Sequence, residues 1–239
     1  MPTIDANSTD GWQSGPSGAW DTVHDHVGSG NPDTNDLVNN AAIIAAYYAP
    51  PRDFYQLRRV FLDFDTSGVT STLSSATLDL YVRGTFVDDM DIIILKSGHD
   101  PSDTTEDWFS TWLTGLGGTI SGWSNTDSEV TAYSAECTTT GTGTGYHSCD
   151  LNSAALADIK NNDELKVVVM NYDFDYLDTE PSAFFDLGIN FSEDIGGNGP
   201  RIDYNVAAGY TNSVMGVAGA NIAKINGVAA ANISKVNGV

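Results

Sequence analysis

The stretch Arg58-Arg-Val-Phe-Leu-Asp-Phe-Asp65 decides the fold class of this chain. Every second residue from Val60 to Phe64 is apolar, and side chains two positions apart point to the same face of an extended strand. The run Ala76-Thr-Leu-Asp-Leu-Tyr-Val-Arg83 repeats the pattern. Both runs therefore predict half-buried β-strands. The residues predicted to form the buried faces are Val60, Leu62, Phe64, Leu78, Leu80 and Val82.

Further strands are predicted from β-branched or aromatic runs that end at Gly, Asn, Asp or Pro, the residues that favour turns. These runs lie at 41–48, 90–96, 165–171, 184–191 and 201–206. Helix is scarce. The best candidate, 152–160, begins with an asparagine suited to capping and is long enough for two turns. Many short strands with so little helix predict an all-β fold, a jelly-roll β-sandwich with one short helix.

The charge of the chain is divided unevenly. Residues 1–206 hold all 32 acidic residues and eight of the ten basic ones, which gives a formal charge of −24. Residues 207–239 contain two lysines and no Asp or Glu, which gives +2. We predict three regions: an N-terminal segment over 1–34 leading into the sandwich, the jelly roll over 35–206, and an extended C-terminal docking arm over 207–239.

The arm contains an 11-residue repeat. Gly216-Val-Ala-Gly-Ala-Asn-Ile-Ala-Lys-Ile-Asn226 is followed by Gly227-Val-Ala-Ala-Ala-Asn-Ile-Ser-Lys-Val-Asn237 and then Gly238-Val239. Asn-Gly readily takes left-handed or primed-turn dihedrals, so we predict short helical steps joined by turns. A disordered linker is the alternative, but a solvated linker has no need of a regular apolar set. The residues predicted to dock on a partner are Val217, Ile222, Ile225, Val228, Ile233, Val236 and Val239.

The net charge of −22 argues against a nucleic-acid or membrane partner, because nucleic-acid backbones and anionic membrane surfaces repel an acidic protein. The N-terminal residues lack the basic and apolar regions of a signal peptide. No stretch approaches the roughly 18 apolar residues of a membrane span. We therefore expect a chain that is neither exported nor inserted into a membrane.

The two cysteines, Cys137 and Cys149, flank a run rich in Thr and Gly that can form a hairpin. A disulfide closing this loop would add about 3 kcal/mol in the chain-entropy model. Two free thiols are the alternative in a reducing compartment. The cysteines and nearby His147 match no standard zinc spacing, which argues against a metal site.

Two acidic or histidine-rich stretches are candidates for metal binding. Asp173, Asp175 and Asp178 follow a predicted strand, where carboxylates and backbone carbonyls could gather calcium. This stretch lacks the Gly and terminal Glu of an EF-hand loop, so a solvated acidic loop is the alternative. His24 and His26 could lie on one face of a strand, but an isolated pair of this kind is more typical of a polar surface.

Exposed aromatic rings could stack on the faces of sugars and so bind a glycan. The candidates are Trp108, Trp112, Trp123 and Tyr133. Core packing is the alternative, because large rings dominate the cores of β-sandwiches. The standard hydrolase, metalloprotease, P-loop and dinucleotide motifs do not occur in the sequence, so we predict a protein that is not an enzyme.

The body of the chain, over about 35–206, resembles DNRLRE-type and carbohydrate-binding-module-like jelly-roll domains. The stretches that carry the resemblance are 58–67, 75–82, 105–108, 162–169 and 199–204. The arm resembles the repetitive Asn-Gly-Val endings of bacteriophage structural proteins. These resemblances imply a sandwich fold for the body and a role in a virus particle for the whole chain.

The expected function is therefore that of a virion structural or decoration protein, assembled in the host cytoplasm and attached to the particle through its arm. Its expected partners are other virion proteins of the capsid or tail, and copies of itself. One alternative is an adhesion module that binds surface polysaccharide. Another is a subunit of an extracellular filament or surface layer.

Overall fold

The structure is a computed structural model. It describes residues 1–8, 10–14, 18–25, 31–33, 41–48, 55–87, 90–99, 112–113, 116, 118, 122–138, 143–190, 196–207, 224–225 and 228–229. Its strands are β1 (Thr3–Asp5), β2 (Gly11–Ser14), β3 (Asn31–Asp33), β4 (Ala41–Tyr48), β5 (Tyr55–Asp65), β6 (Leu73–Val87), β7 (Ile92–Lys96), β8 (Gly145–Asp150), β9 (Glu164–Asn171), β10 (Phe184–Asn190), β11 (Arg201–Val206), β12 (Lys224–Ile225) and β13 (Val228–Ala229). The helices are α1 (Trp20–His24) and α2 (Ser153–Asn161), and a π-helical turn spans Tyr172–Tyr176.

The body is an all-β sandwich of two antiparallel sheets, which confirms the predicted sandwich. In the first sheet, β6 pairs with β8 on one edge and with β10 and β11 on the other, β11 continues to β1, and β10 continues through β4 to β5. The second sheet has the order β3, β2, β5, β9, β7. Strand β5 belongs to both sheets, because its first residues pair with β4 and its later ones with β2 and β9.

The main core lies between the two sheets. The predicted buried faces are confirmed, since all six of their apolar residues belong to this core. They pack against aliphatic side chains of β7, β9 and β10. The core residues from those strands are Ile92, Ile94, Leu165, Val167, Val169, Leu187 and Ile189.

The second sheet is buried on its other face as well. Phe61, Val168 and Met170 point away from the main core and pack under Trp112 and Trp123 in a second apolar cluster. The prediction that β5 is only half-buried is therefore wrong. A strand covered on both faces is apolar in a continuous run, which is the pattern of β7 and β9.

Helix α2 forms where the sequence predicts it. The side chain of Asn152 accepts hydrogen bonds from the backbone N–H groups of Ala154 and Ala155, so it caps the first turn. Ala155 and Ile159 face the main core. The helix therefore packs against the sandwich through one apolar stripe.

The helix is also fixed by its carboxylate at Asp158. This group accepts a hydrogen bond from Lys96 Nζ at 2.8 Å and another from the Tyr133 hydroxyl. Burial raises the pKa of Asp158. The hydrogen bonds from Lys96 and Tyr133 lower the same pKa by a larger amount, so it lies below the ordinary value. Burial and the bond to Asp158 raise the pKa of Tyr133.

Cys137 and Cys149 form a disulfide with a Cα–Cα distance of 5.7 Å. Cys137 makes an antiparallel bridge to Ile92 on β7, whereas Cys149 lies on β8 opposite Leu78. The disulfide therefore links the second sheet to the first. The sequence left a disulfide and two free thiols as alternatives, and the structure has the disulfide.

The N-terminal segment is part of the sandwich. Strand β1 pairs with β11, and β2 pairs with β5 and β3. The predicted boundary at residue 34 therefore does not separate a leading segment from the sheets.

In the described part of the arm, β12 and β13 pair with each other and form a separate two-stranded sheet. The predicted helical steps are therefore wrong at these four residues. The physical reason lies in the Asn-Gly pair between the strands, which is typical of a two-residue hairpin loop and outweighs the helical tendency of the flanking alanines. Within the described residues, no helix has the length and apolar character needed to cross a membrane.

Candidate functional site

A buried ion pair lies on the outer face of the second sheet. Arg59 on β5 donates from Nε to Asp175 at 2.8 Å and from Nη2 to the other carboxylate oxygen at 2.6 Å. Both side chains are at most 1% exposed. Two parallel charge-assisted bonds offset part of the cost of removing both ions from water.

The π-helical turn places Asp175 opposite Arg59. The side chain of Asn171 caps this turn by accepting from the N–H of Phe174 at 2.6 Å, and the N–H of Leu177 donates to the carbonyl of Tyr172. Asp178, two residues after the turn, has a φ of 51°, a conformation that aspartate tolerates better than most residues. Single π turns are frequent at functional sites, which makes this segment a candidate.

Two tryptophan rings enclose the guanidinium of Arg59. Its carbon lies 5.9 Å from the ring centre of Trp112 and 5.6 Å from that of Trp123. The two rings meet edge to face, with centres 5.2 Å apart. They exclude water from the ion pair and present their electron-rich faces to the cation.

His24 at the end of α1 covers the other side of the ion pair. Its Nε2 lies 2.9 Å from the backbone oxygen of Asp175, and its Nδ1 lies 2.8 Å from a carboxylate oxygen of Asp25. Both partners are acceptors, so both contacts are hydrogen bonds only when both ring nitrogens carry a proton. The imidazole also stacks on Trp123. Each ring nitrogen therefore lies within hydrogen-bond distance of an acceptor in the protein.

A pocket of about 270 Å³ opens beside this network. Polar groups of the Ser124–Asn125 turn form one wall, and Tyr176 and Asp178 form the other. Burial and the neighbouring Tyr172 raise the pKa of Tyr176, so its hydroxyl stays neutral and can donate a hydrogen bond. The pocket is thus a polar recess with an aromatic side, next to a charge network that holds its walls.

Asp178 connects the pocket to α1. One of its carboxylate oxygens accepts a hydrogen bond from Trp20 Nε1 at 2.9 Å and lies 3.6 Å from His24 Nδ1. Its side chain is 61% exposed, so the carboxylate also faces solvent. It can therefore accept from a ligand without losing its structural partners.

The aromatic residues predicted to bind a glycan are placed differently. Trp112, Trp123 and Tyr133 are at most 3% exposed, and a ring without exposed surface cannot stack on a sugar. Trp108 lies outside the described residues. The core-packing alternative therefore holds for three of the four, although Trp123 also borders the pocket.

The three aspartates predicted to bind calcium do not converge. Asp175 is paired with Arg59, Asp178 with Trp20, and Asp173 faces a different neighbour, Asp91. Burial and the charge of Asp91 raise the pKa of Asp173. The geometry is that of three separate carboxylates, so it lacks the shared oxygen cage that calcium requires.

Of the predicted histidine pair, His26 lies outside the described residues. Of the predicted docking residues, Ile225 and Val228 are register partners between β12 and β13. The other five lie outside the described residues: Val217, Ile222, Ile233, Val236 and Val239.

The ion pair between Arg59 and Asp175 could not be predicted from the sequence. One signal was present: Arg59 alternates with Phe61 on the face opposite the predicted core, and an apolar residue there suggests that this face is also covered. Nothing in the local pattern indicates which of the 32 acidic residues would be the partner.

No protein-family model matches this chain, and no curated protein is significantly similar to it. The resemblance to DNRLRE-type and carbohydrate-binding-module-like domains therefore stays a prediction. What the described residues establish is an acidic all-β sandwich with a buried ion pair beside a polar pocket.

Proposed function

We propose that this chain is a non-enzymatic assembly protein whose sandwich is attached to a larger particle through the C-terminal arm. The observation that carries the proposal is the separation of the two parts. Among the described residues, β12 and β13 of the arm pair with each other and with no strand of the sandwich. The arm is then available to a partner.

The composition of the arm supports attachment by apolar and backbone contacts. It has no acidic residue and a charge of +2, which contributes little to binding at physiological salt. Short strands with unpaired edges can extend a partner's sheet, and the Val and Ile side chains would be buried in the process. The setting that we propose is a bacteriophage particle, on the resemblance of the arm to the endings of phage structural proteins.

Deletion of residues 210–239 tests the proposal. We expect the shortened chain to keep the melting temperature of the full chain and to be absent from particles assembled in its presence. Undiminished incorporation of the shortened chain would contradict attachment through the arm. Assembly of the purified full chain into filaments would instead favour the surface-layer alternative.

A matched pair of variants separates the two kinds of contact. Replacing Ile225 and Val228 by serine removes apolar surface, and replacing Lys224 and Lys235 by serine removes the charge. We expect the first variant to lose incorporation and the second to retain it.

We propose glycan binding in the pocket beside His24 as a second function. The supporting observation is the polar recess between Asn125 and Asp178, with an aromatic side formed by Tyr176. Carbohydrate sites commonly combine a few placed polar groups with an aromatic surface.

A glycan array with the full chain tests this second function. Asn125→Ala should abolish any signal, since Asn125 lines the pocket, whereas Asn205→Ala on β11 should leave it unchanged. Equal loss in both variants, or a signal unaffected by Asn125→Ala, would place binding elsewhere.

A further inference from the structure

Three ligands suited to a soft metal ion meet at the edge of the sandwich. Cys137, His147 and Cys149 place their sulfur and ring nitrogen atoms within 4.8 Å of one another, and they are the one such triad in the part of the chain that the structure describes. His147 Nε2 lies 3.5 Å from the sulfur of Cys137. The spacing in the sequence did not indicate this arrangement.

Strand geometry explains why the three residues converge. His147 and Cys149 are two positions apart on β8, so they lie on the same face of the strand. Cys137 reaches that face from the segment bridged to β7. Each ligand is therefore held by sheet hydrogen bonds rather than by a free loop.

The separation of His147 Nε2 from the sulfur of Cys137 fits a tetrahedral ion. Bonds of about 2.3 Å to sulfur and about 2.0 Å to nitrogen put those two atoms about 3.5 Å apart at the tetrahedral angle. This is the distance from His147 Nε2 to the sulfur of Cys137. Two thiolates and an imidazole form a donor set that favours Zn²⁺ over the hard ions Ca²⁺ and Mg²⁺.

A pocket gives access to the triad. It has a volume of about 260 Å³ and lies against the disulfide. A water molecule in this pocket can complete four-coordinate zinc.

We propose that reduction of the Cys137–Cys149 disulfide converts this edge of the sandwich into a zinc site formed by Cys137, His147 and Cys149. A dithiol reductant supplies two electrons and two protons, the S–S bond breaks, and the reductant becomes a disulfide. On binding Zn²⁺ the two thiols release their protons to solvent, because the thiolate is the ligand.

In the proposed site, a zinc ion replaces the disulfide as the cross-link between the two sheets. The disulfide joins the segment bridged to β7 to strand β8, and a zinc ion held by the same residues joins the same two places. The reduced chain regains through the metal the connection between sheets that it loses with the disulfide.

Cobalt substitution tests the site on the full chain. After reduction and removal of the reductant without air, Co²⁺ should give the intense visible bands of a tetrahedral thiolate complex at one ion per chain, and Zn²⁺ should displace it. The oxidised chain should give no such bands. Zn²⁺ should also raise the melting temperature of the reduced chain but not that of the oxidised chain, since a ligand stabilises only the form that binds it.

Two variants make the result specific. His147→Ala should weaken zinc binding by the reduced chain at least tenfold, whereas Ser148→Ala, between the two ligands of β8, should leave it unchanged. A reduced chain that keeps its circular dichroism but binds no Co²⁺ would overturn the proposal, as would equal affinity in His147→Ala. If reduction unfolds the chain, refolding on addition of Zn²⁺ supports the site, and failure to refold overturns it.

Discussion

The second sheet offers two buried faces that are filled in different ways. On the inner face, aliphatic residues such as Leu62 and Val169 meet the side chains of the first sheet. On the outer face, Phe61 and Met170 lie under tryptophans that also enclose a charged pair. The inner layer comes from strands, whereas the outer layer comes from loops and turns distant in sequence.

This difference shows how irregular segments can be fixed in place. Aliphatic side chains stabilise any arrangement that fills the core volume, so an aliphatic core tolerates exchange of similar side chains. A buried arginine and aspartate stabilise only the arrangement that pairs them, because a buried ion without a partner lowers the free energy of unfolding. We infer that the ion pair determines where the π-helical turn sits on the sheet.

The largest expected effect on stability comes from removing one member of the ion pair on the outer face of the second sheet. Asp175→Ala should lower the free energy of unfolding by about 4 kcal/mol, because it removes the carboxylate that accepts two charge-assisted hydrogen bonds from the buried Arg59. Urea unfolding measures the change, and near-ultraviolet circular dichroism should show altered signals from the tryptophans around Arg59. The double variant Arg59→Met, Asp175→Leu should recover at least half of the loss. A single variant within about 1 kcal/mol of the wild type would contradict the desolvated pair.

The next effect should come from the inner layer. Leu62→Ala removes a fully buried side chain and leaves a cavity, so we expect a loss of about 3 kcal/mol. Near-ultraviolet signals should be retained in this variant, because Trp112 and Trp123 lie on the other face. Met170→Leu on the outer face preserves volume and should cost less than about 1.5 kcal/mol.

A smaller effect, dependent on pH, is expected at the border of the inner core. The pKa of Asp158 is lowered in the folded chain, so its contribution to stability is present above the ordinary carboxyl pKa of about 3.9 and is lost as the pH falls through the folded value. Asp158→Asn should therefore destabilise the chain by about 1 kcal/mol at pH 7, after allowance for solvent screening. The difference from the wild type should shrink toward zero near pH 2. A difference independent of pH would contradict the role of the charge.

The smallest effect is expected where acidic residues crowd the start of β7. A hydrogen bond with Asp91 raises the pKa of Glu136, and burial and the charge of Asp91 raise that of Asp173. Raised carboxyl pKa values mean that ionisation costs stability as the pH rises. Asp91→Asn should therefore raise the melting temperature by about 2 °C at pH 7 and by less at pH 4. A lower melting temperature at pH 7 would show that repulsion is not the dominant interaction there.

Much of the fold could be predicted from local pattern. The alternation around Leu62 and Leu80 identifies the inner face, and Asn152 identifies the start of α2, because both signals depend on neighbours in sequence. The segments that cover Phe61 could not be identified in this way. Its cover comes from residues 50 or more positions away, and strand periodicity does not record which loop folds over the second face.

Less of the candidate site than of the fold could be predicted from the sequence. The sequence marks Asp175 as a candidate metal ligand, but its carboxylate is paired with Arg59, and only the folded chain brings the two together. The chemistry of Trp123 suits a sugar, yet burial decides whether a ring binds a ligand or fills a core. The triad of Cys137, His147 and Cys149 has no sequence signal, because strand pairing and not spacing brings its members together.

The position of β11 has a mechanical consequence for a protein held by its C-terminal end. This strand immediately precedes the arm and is bonded on both edges, to β1 and to β6. Arg201 at its start is further held by Asp79 and lies over the ring of Tyr146. A pull along the strand loads these bonds together in shear rather than one after another. Under the proposed attachment, the sandwich resists tearing at the point where the force enters.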